Sequence, residues 1–181
     1  MTRAALYLAI VILALAGGAK AASAQQSQLL EAAISDAVDR FERALPSLGP
    51  TEFGVDVAAY REALTLQRFS SGVWGGDIAV AVQVQDEATS SCDRFAAFAR
   101  VPPQNGVVPL VVCPRFFTPG ADEMRELTIM HEMVHVVAGT NECQAMAFAA
   151  RVQHAATGRF TPVEGYWRAS GCESSRYRLP D

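Results

Sequence analysis

The sequence predicts an α+β protein, with a small antiparallel sheet packed on one long histidine-bearing helix and a helical C-terminal part. Three observations predict it. Apolar residues recur at spacings of three and four over 29–45, 121–138 and 141–156, as on helices with one buried face. They alternate with period two over 77–85, as on a half-buried strand. Pro-Pro-Gln-Asn-Gly at 102–106 separates two strand-prone runs, 95–101 and 107–113, as in a hairpin.

From the start of the chain, Met1–Ala24 reads as a secretory signal peptide. Arg3 supplies the positive start, Ala4–Ala16 the apolar run, and Ala22-Ser23-Ala24 the small-x-small cleavage pattern. The run is shorter than the about 18 apolar residues of a spanning helix. The expected mature protein is one domain, 25–181, secreted or periplasmic, with no stable membrane insertion after cleavage. A retained N-terminal anchor is the alternative.

Leu30, Ile34, Val38, Phe41 and Leu45 share one face of the first helix, and Pro46-Ser47-Leu48-Gly49-Pro50 breaks it. Val57–Phe69 reads as a second helix and Ser70–Gly76 as a loop around Trp74. In Asp77–Gln85, residues Ile78, Val80, Val82 and Val84 face one way. Asp86–Ser91 reads as a loop. Pro109 has no N–H for a ladder, so its strand is expected at an edge or bulged.

The helix at 121–138 has no proline and no internal glycine. Asp122, Glu123 and Glu126 crowd its first turns, where the helix dipole favours negative charge. Leu127, Met130, Val134, Val137 and Ala138 form its apolar stripe. Gly139 is placed to end it and Thr140 to cap the next helix, Asn141–Ala156, which Gly158 ends. Arg159–Asp181 reads as irregular.

The chemistry concentrates on this helix. His131-Glu132-Met133-Val134-His135 places two imidazoles four residues apart, on one face and one turn apart. They can aim at one point, as a catalytic zinc requires, with a third protein ligand and one open position. Glu132 lies about 100° round the helix from His131, beside that point, where a general base belongs. Glu142, past the Gly139 turn, is the expected third ligand. The bland reading is a glutamate that merely favours its own helix N-terminus. His154, Glu164 and Glu173 are the other candidates.

His131-Glu132-x-x-His135 with an acidic residue downstream resembles the zincin superfamily of zinc metallopeptidases. Gly139-Thr140-Asn141-Glu142 is similar to the Gly-Thr-x-Asp motif of aspzincins, the deuterolysin-like and lysine-specific endopeptidases, with Glu at the ligand position. Cys113-Pro114-Arg115-Phe116-Phe117 looks like the aspzincin approach to the helix. Asn141-Glu142-Cys143-Gln144-Ala145 is similar to the Asn-Glu-x-x-small motif of gluzincins. The gap after His135 is shorter than in either branch, and Ala145 stands where the aspzincin tyrosine would fall. The likeness covers roughly 110–155. It implies a zincin-like fold, a Zn2+ cofactor held by His131, His135 and Glu142, and hydrolysis of peptide bonds with Glu132 as catalytic base. In the tail, which carries Tyr166, Trp167, Arg168, Tyr177 and Arg178, a Tyr or an Arg could stabilise the oxyanion; the plainer reading is that the aromatics close the bottom of the core.

Charge bounds the partners. The chain carries −4, and removing Arg3 and Lys20 with the leader makes it −6. A phosphate binder is normally basic, so nucleic acid is not expected as a partner; the zincin resemblance implies a peptide or protein substrate. Four cysteines allow three pairings in an oxidising compartment, and the expected one is Cys92–Cys113 with Cys143–Cys172. The rival to a peptidase is a catalytically inactive, zincin-derived domain that holds zinc or binds protein in the periplasm. A purely structural module is the third reading.

Overall fold

In a computed structural model, residues 3–86 and 91–181 are described, with side chains from Ser23 onward. Met1, Thr2 and the leader's side chains up to Ala22, together with Glu87–Ser90 of the expected loop, lie outside the described residues. Helix α1 runs Arg3–Ala44, so the helix expected from residue 29 is its C-terminal part. A 3₁₀ turn at Leu45–Ser47, with Pro46 at its start, ends it. No helix among the described residues is long and apolar enough to cross a membrane. The chain divides into two compact units, residues up to Ala32 and Ala33–Asp181. The first is the N-terminal stretch of α1; everything below lies in the second.

Strands β1 (Thr51–Glu52) and β2 (Val55–Asp56) pair antiparallel around Phe53 and Gly54, both at positive φ. Helix α2 (Val57–Leu64) starts at Asp56, whose carboxylate accepts from the Ala58 and Ala59 N–H groups at 3.0 Å. It is shorter than the predicted 57–69. The Thr65 hydroxyl turns back on the Arg61 carbonyl at 2.9 Å, Leu66 adopts φ 57°, and the chain leaves as strand β3 (Phe69–Ser70).

The main sheet, in order β3–β4–β6–β5, contains β4 (Asp77–Val84), β5 (Ala97–Ala99) and β6 (Val107–Val112). The expected hairpin forms. Asn105 (φ 52°) and Gly106 (φ 74°) make its two-residue turn, closed by the Gln104–Val107 bridge. The sheet is nevertheless mixed and not antiparallel, because β4 runs parallel to β6. A parallel pair needs a crossover of about a dozen residues or more. The stretch from β4 to β6 is long enough to provide one, and it holds β5, which pairs on the far side of β6.

Strand β6 is therefore central, against the edge position expected from Pro109. That proline pairs with Ala81 on one side and lies opposite Arg100 on the other, one residue past the end of β5. Its carbonyl accepts from the Arg100 N–H at 2.8 Å, and the donor it lacks falls where the β5 ladder stops. The alternation in β4 is also blunted: Ile78 is buried, residues 79–82 are half-buried and Val84 is exposed.

Helix α3 (Asp122–Ala138) is buried on more than the expected stripe, since Ile129, Met133 and Val136 are covered as well. Helices α2 and α4 (Glu142–Thr157) and strand β5 flank it. Phe41 of α1, Tyr60 of α2 and Phe148 of α4 stack beside it, with ring centroids 5.1 and 4.6 Å apart. Both expected disulfides form, Cys92–Cys113 and Cys143–Cys172. The tail is less irregular than expected, with a short helix α5 (Glu164–Ala169) and a 3₁₀ turn at Cys172–Ser174.

Candidate metal centre

Four interactions place α3. The Tyr60 hydroxyl donates to the Met130 carbonyl at 2.9 Å, one residue before His131. The Trp74 indole N–H donates to the Val136 carbonyl at 2.7 Å. Glu126 receives Arg40 through two bonds, at 3.0 and 2.8 Å. Arg125, itself buried, donates to the Thr118 carbonyl at 2.9 Å and so fixes the entry to the helix.

Gly139 ends α3 with φ 97° and ψ −166°, a region essentially restricted to glycine. This differs from the left-handed turn expected there. Its consequence is chemical: the Gly139 carbonyl lies 2.8 Å from His135 Nδ1 and accepts that N–H. The bond keeps a proton on Nδ1, so in the neutral ring Nε2 is the nitrogen left to act as a ligand. Asn141, not Thr140, caps α4; its side chain accepts from the Gln144 N–H at 3.0 Å. The short turn makes Asn141 the last non-helical residue, so Glu142 opens α4. Gln144 ties this end of α4 to the β1–β2 turn by donating to the Phe53 carbonyl at 3.0 Å.

The turn returns Glu142 to the histidines. His131 Nε2 is 3.1 Å from Glu142 Oε2, His135 Nε2 is 3.5 Å from Glu142 Oε1, and the two imidazole Nε2 atoms are 3.1 Å apart. Among the described residues these three form the group that could hold a metal ion. His154, Glu164 and Glu173 are not part of it. Bonds from His131 and then His135 hold the Glu142 carboxyl far below its ordinary range, against the opposing effect of burial. For His135, burial disfavours the imidazolium, but Glu142, Glu132 and the Gly139 carbonyl outweigh it and raise the group.

Glu132 is buried beside this cluster. Its Oε2 accepts the Ala99 N–H from β5 at 2.9 Å. No buried side-chain oxygen or nitrogen among the described residues lacks a partner, so Oε1, which makes no such bond, reaches the cleft. Burial pushes the Glu132 carboxyl up, with His131, His135 and the Ala99 amide offsetting only part of the rise.

Tyr166 is the member of the tail that arrives here. Its hydroxyl donates to Glu142 Oε2 at 3.1 Å, and its ring stands edge-on to His131 at 6.3 Å. Burial, with Glu142 beside it, pushes the hydroxyl up to about 12, so it stays a donor at neutral pH. Trp167 and Tyr177 instead pack in a core cluster with Met146, Ala147 and Cys172. The sequence held a signal for this choice: Val163 and Trp167, four apart, bury one face of a short helix, and Tyr166 falls off it. The Ala99 amide and Gly139 carbonyl carried no such signal, since backbone groups are invisible to residue type.

Two hollows of about 460 and 210 Å3 flank the cluster, and both are lined by Phe95, Glu132 and Tyr166. No family model matches this chain, and no curated protein or solved structure matches it either.

Proposed function

We propose that this is an exported, zincin-like zinc metallopeptidase. The observation that carries the reading is the convergence of His131, His135 and Glu142 at 3.1–3.5 Å, with a second, buried carboxylate alongside. Ligands at zinc distances on a tetrahedron lie about 3.3–3.5 Å from one another, so the three donors fit with small adjustments. Two neutral imidazoles and a carboxylate leave the site at net +1 with zinc. Bound zinc supplies Lewis acidity, lowering the pKa of water and polarising a carbonyl.

The remaining steps belong to the chain. The Ala99 amide holds one oxygen of Glu132, which lines both hollows, and leaves the other for the proton transfer. That oxygen takes a proton from the attacking water and returns it to the leaving amine. The Tyr166 hydroxyl turns from Glu142 to donate to the substrate carbonyl oxygen, in the role that Ala145 leaves unfilled. Export is supported by the leader-like start and by two disulfides, which persist in oxidising compartments.

The test is Glu132→Gln. The variant should bind one zinc per chain, measured by elemental analysis, and lose about 10²–10⁴-fold in casein hydrolysis. Retained hydrolysis rejects the mechanism. A wild-type protein that holds zinc and cleaves no peptide supports the inactive zinc-holding domain instead.

A further inference from the structure

Strand β5 is an edge strand, and its open side faces the cleft. Ala96 and Arg100 bond toward β6, through Cys113 N–H to Ala96 O and Arg100 N–H to Pro109 O, at 2.9 and 2.8 Å. Their odd-numbered neighbours therefore point the other way. Ala99 spends its N–H on Glu132, and on that outer side Ala97, whose register partner Val112 lies in β6, meets no further strand among the described residues. The strand runs from Ala97, beside the larger hollow, to Ala99, beside the smaller one. A peptide paired antiparallel to it would lay its C-terminal side along the larger hollow.

That hollow has two chemistries. Its floor is apolar, from Leu127, Met146 and Val163. One wall carries Arg94 and Arg115, and neither has a carboxylate partner among the described residues. Arg115 Nη1 lies 3.4 Å from the Arg94 carbonyl oxygen, and the Arg94 guanidinium sits 5.3 Å from the Phe95 ring centroid. Two cationic side chains thus line one hollow of an otherwise acidic protein, which makes that wall complementary to an anion.

Building on the peptidase reading, we propose that the larger hollow selects, on the C-terminal side of the cleaved bond, an apolar side chain followed by a carboxylate. That carboxylate is either an acidic side chain or the end of the chain. Pairing to β5 cannot select sequence alone, since on that side it could reach only Ala97, which is 3% exposed. Charge and the apolar floor supply the choice.

The experiment uses the full zinc-loaded chain and fluorescein-labelled hexapeptides with leucine at the fourth position and glutamate or glutamine at the fifth. Each is made as a C-terminal acid and as an amide. Hydrolysis is read as kcat/KM, and binding to the Glu132→Gln variant as anisotropy. Carboxylate-bearing peptides should be favoured about fivefold in both readouts, the scale of an exposed ion pair. Arg94→Gln with Arg115→Gln should bring that ratio close to one, and Arg115→Glu should turn it toward peptides with lysine at the fifth position. Preference for glutamate in the amide series assigns the side chain; preference for the acid in the glutamine series assigns the chain end. Hydrolysis without preference, or a preference that survives the double variant, overturns the proposal and leaves the peptidase reading standing. Arginine-dependent binding without hydrolysis of any peptide supports the recognition and rejects the peptidase.

Discussion

The two halves of the candidate metal centre are held in opposite ways. His131 and His135 stand on a buried helix, their side chains 12% and 8% exposed, with Tyr60, Trp74, Arg40 and β5 bonded to that helix along its length. Glu142 is 43% exposed and stands on the first residue of α4. What fixes it is the Gly139 turn, the Asn141 cap, the Gln144 bond to the Phe53 carbonyl, the Tyr166 hydroxyl and the disulfide at the next residue, Cys143. The core thus places the two imidazoles as a by-product of folding, while Glu142 depends on a turn and a few separate links at the start of α4. A centre so divided should lose its third ligand without losing its fold.

The largest effects should come from the disulfides, and they should separate the halves. Replacing Cys143 and Cys172 by serine opens a link spanning 29 residues. It should cost about 2–4 kcal/mol in denaturant unfolding. It should also weaken zinc binding more than about tenfold in chelator competition, as loss of a ligand's supporting partner typically does. Replacing Cys92 and Cys113 should cost a similar stability, but act on β5 and Glu132 through the cluster with Val111 and Phe98. Turnover at saturating zinc should then fall while zinc affinity holds. If both pairs affect zinc equally, the division between the halves is wrong.

The turn between the halves is the next lever. Gly139→Ala meets no atom within 4 Å, so space is not the obstacle. Backbone strain is, at about 1–3 kcal/mol for a side chain in that region. Relief of the strain would rotate the carbonyl that His135 uses, so zinc affinity should drop along with stability, by about tenfold. A variant that loses stability but keeps zinc affinity would show that the tautomer is set without Gly139.

The same division explains what the sequence disclosed. The α3 half was legible because helical spacing fixes where His131 and His135 point. Glu142 was legible because Gly139 and a step of only seven residues from His135 leave room for little but a reversal, although the cap was expected at Thr140 and lies at Asn141. Both cysteine pairs were as expected. The mixed sheet was not legible: alternation in Asp77–Val84 reports burial, not the direction in which a neighbour runs. Pro109 misled for a related reason. A missing donor excludes one bond on one side of a strand, and here that side was already past the end of β5. Helix α5 was not read from the sequence, since its one periodic pair, Val163 and Trp167, is too little to mark a helix, yet it delivers Tyr166.

The smallest effect tests the claim that α3 is held redundantly. Tyr60→Phe removes one hydrogen bond, from a fully buried hydroxyl to the Met130 carbonyl, and keeps the ring between Phe41 and Phe148. Loss of a buried bond of this kind costs about 1 kcal/mol, and Met130 retains its place in the helix ladder. With Trp74, Arg40 and Ala99 still bonded to α3, the imidazoles should not move, and zinc affinity should stay within about twofold of wild type in chelator competition. Should affinity fall tenfold for so small a loss of stability, the histidines hang on one anchor and not on many. The buried half of the centre would then be as fragile as the exposed one.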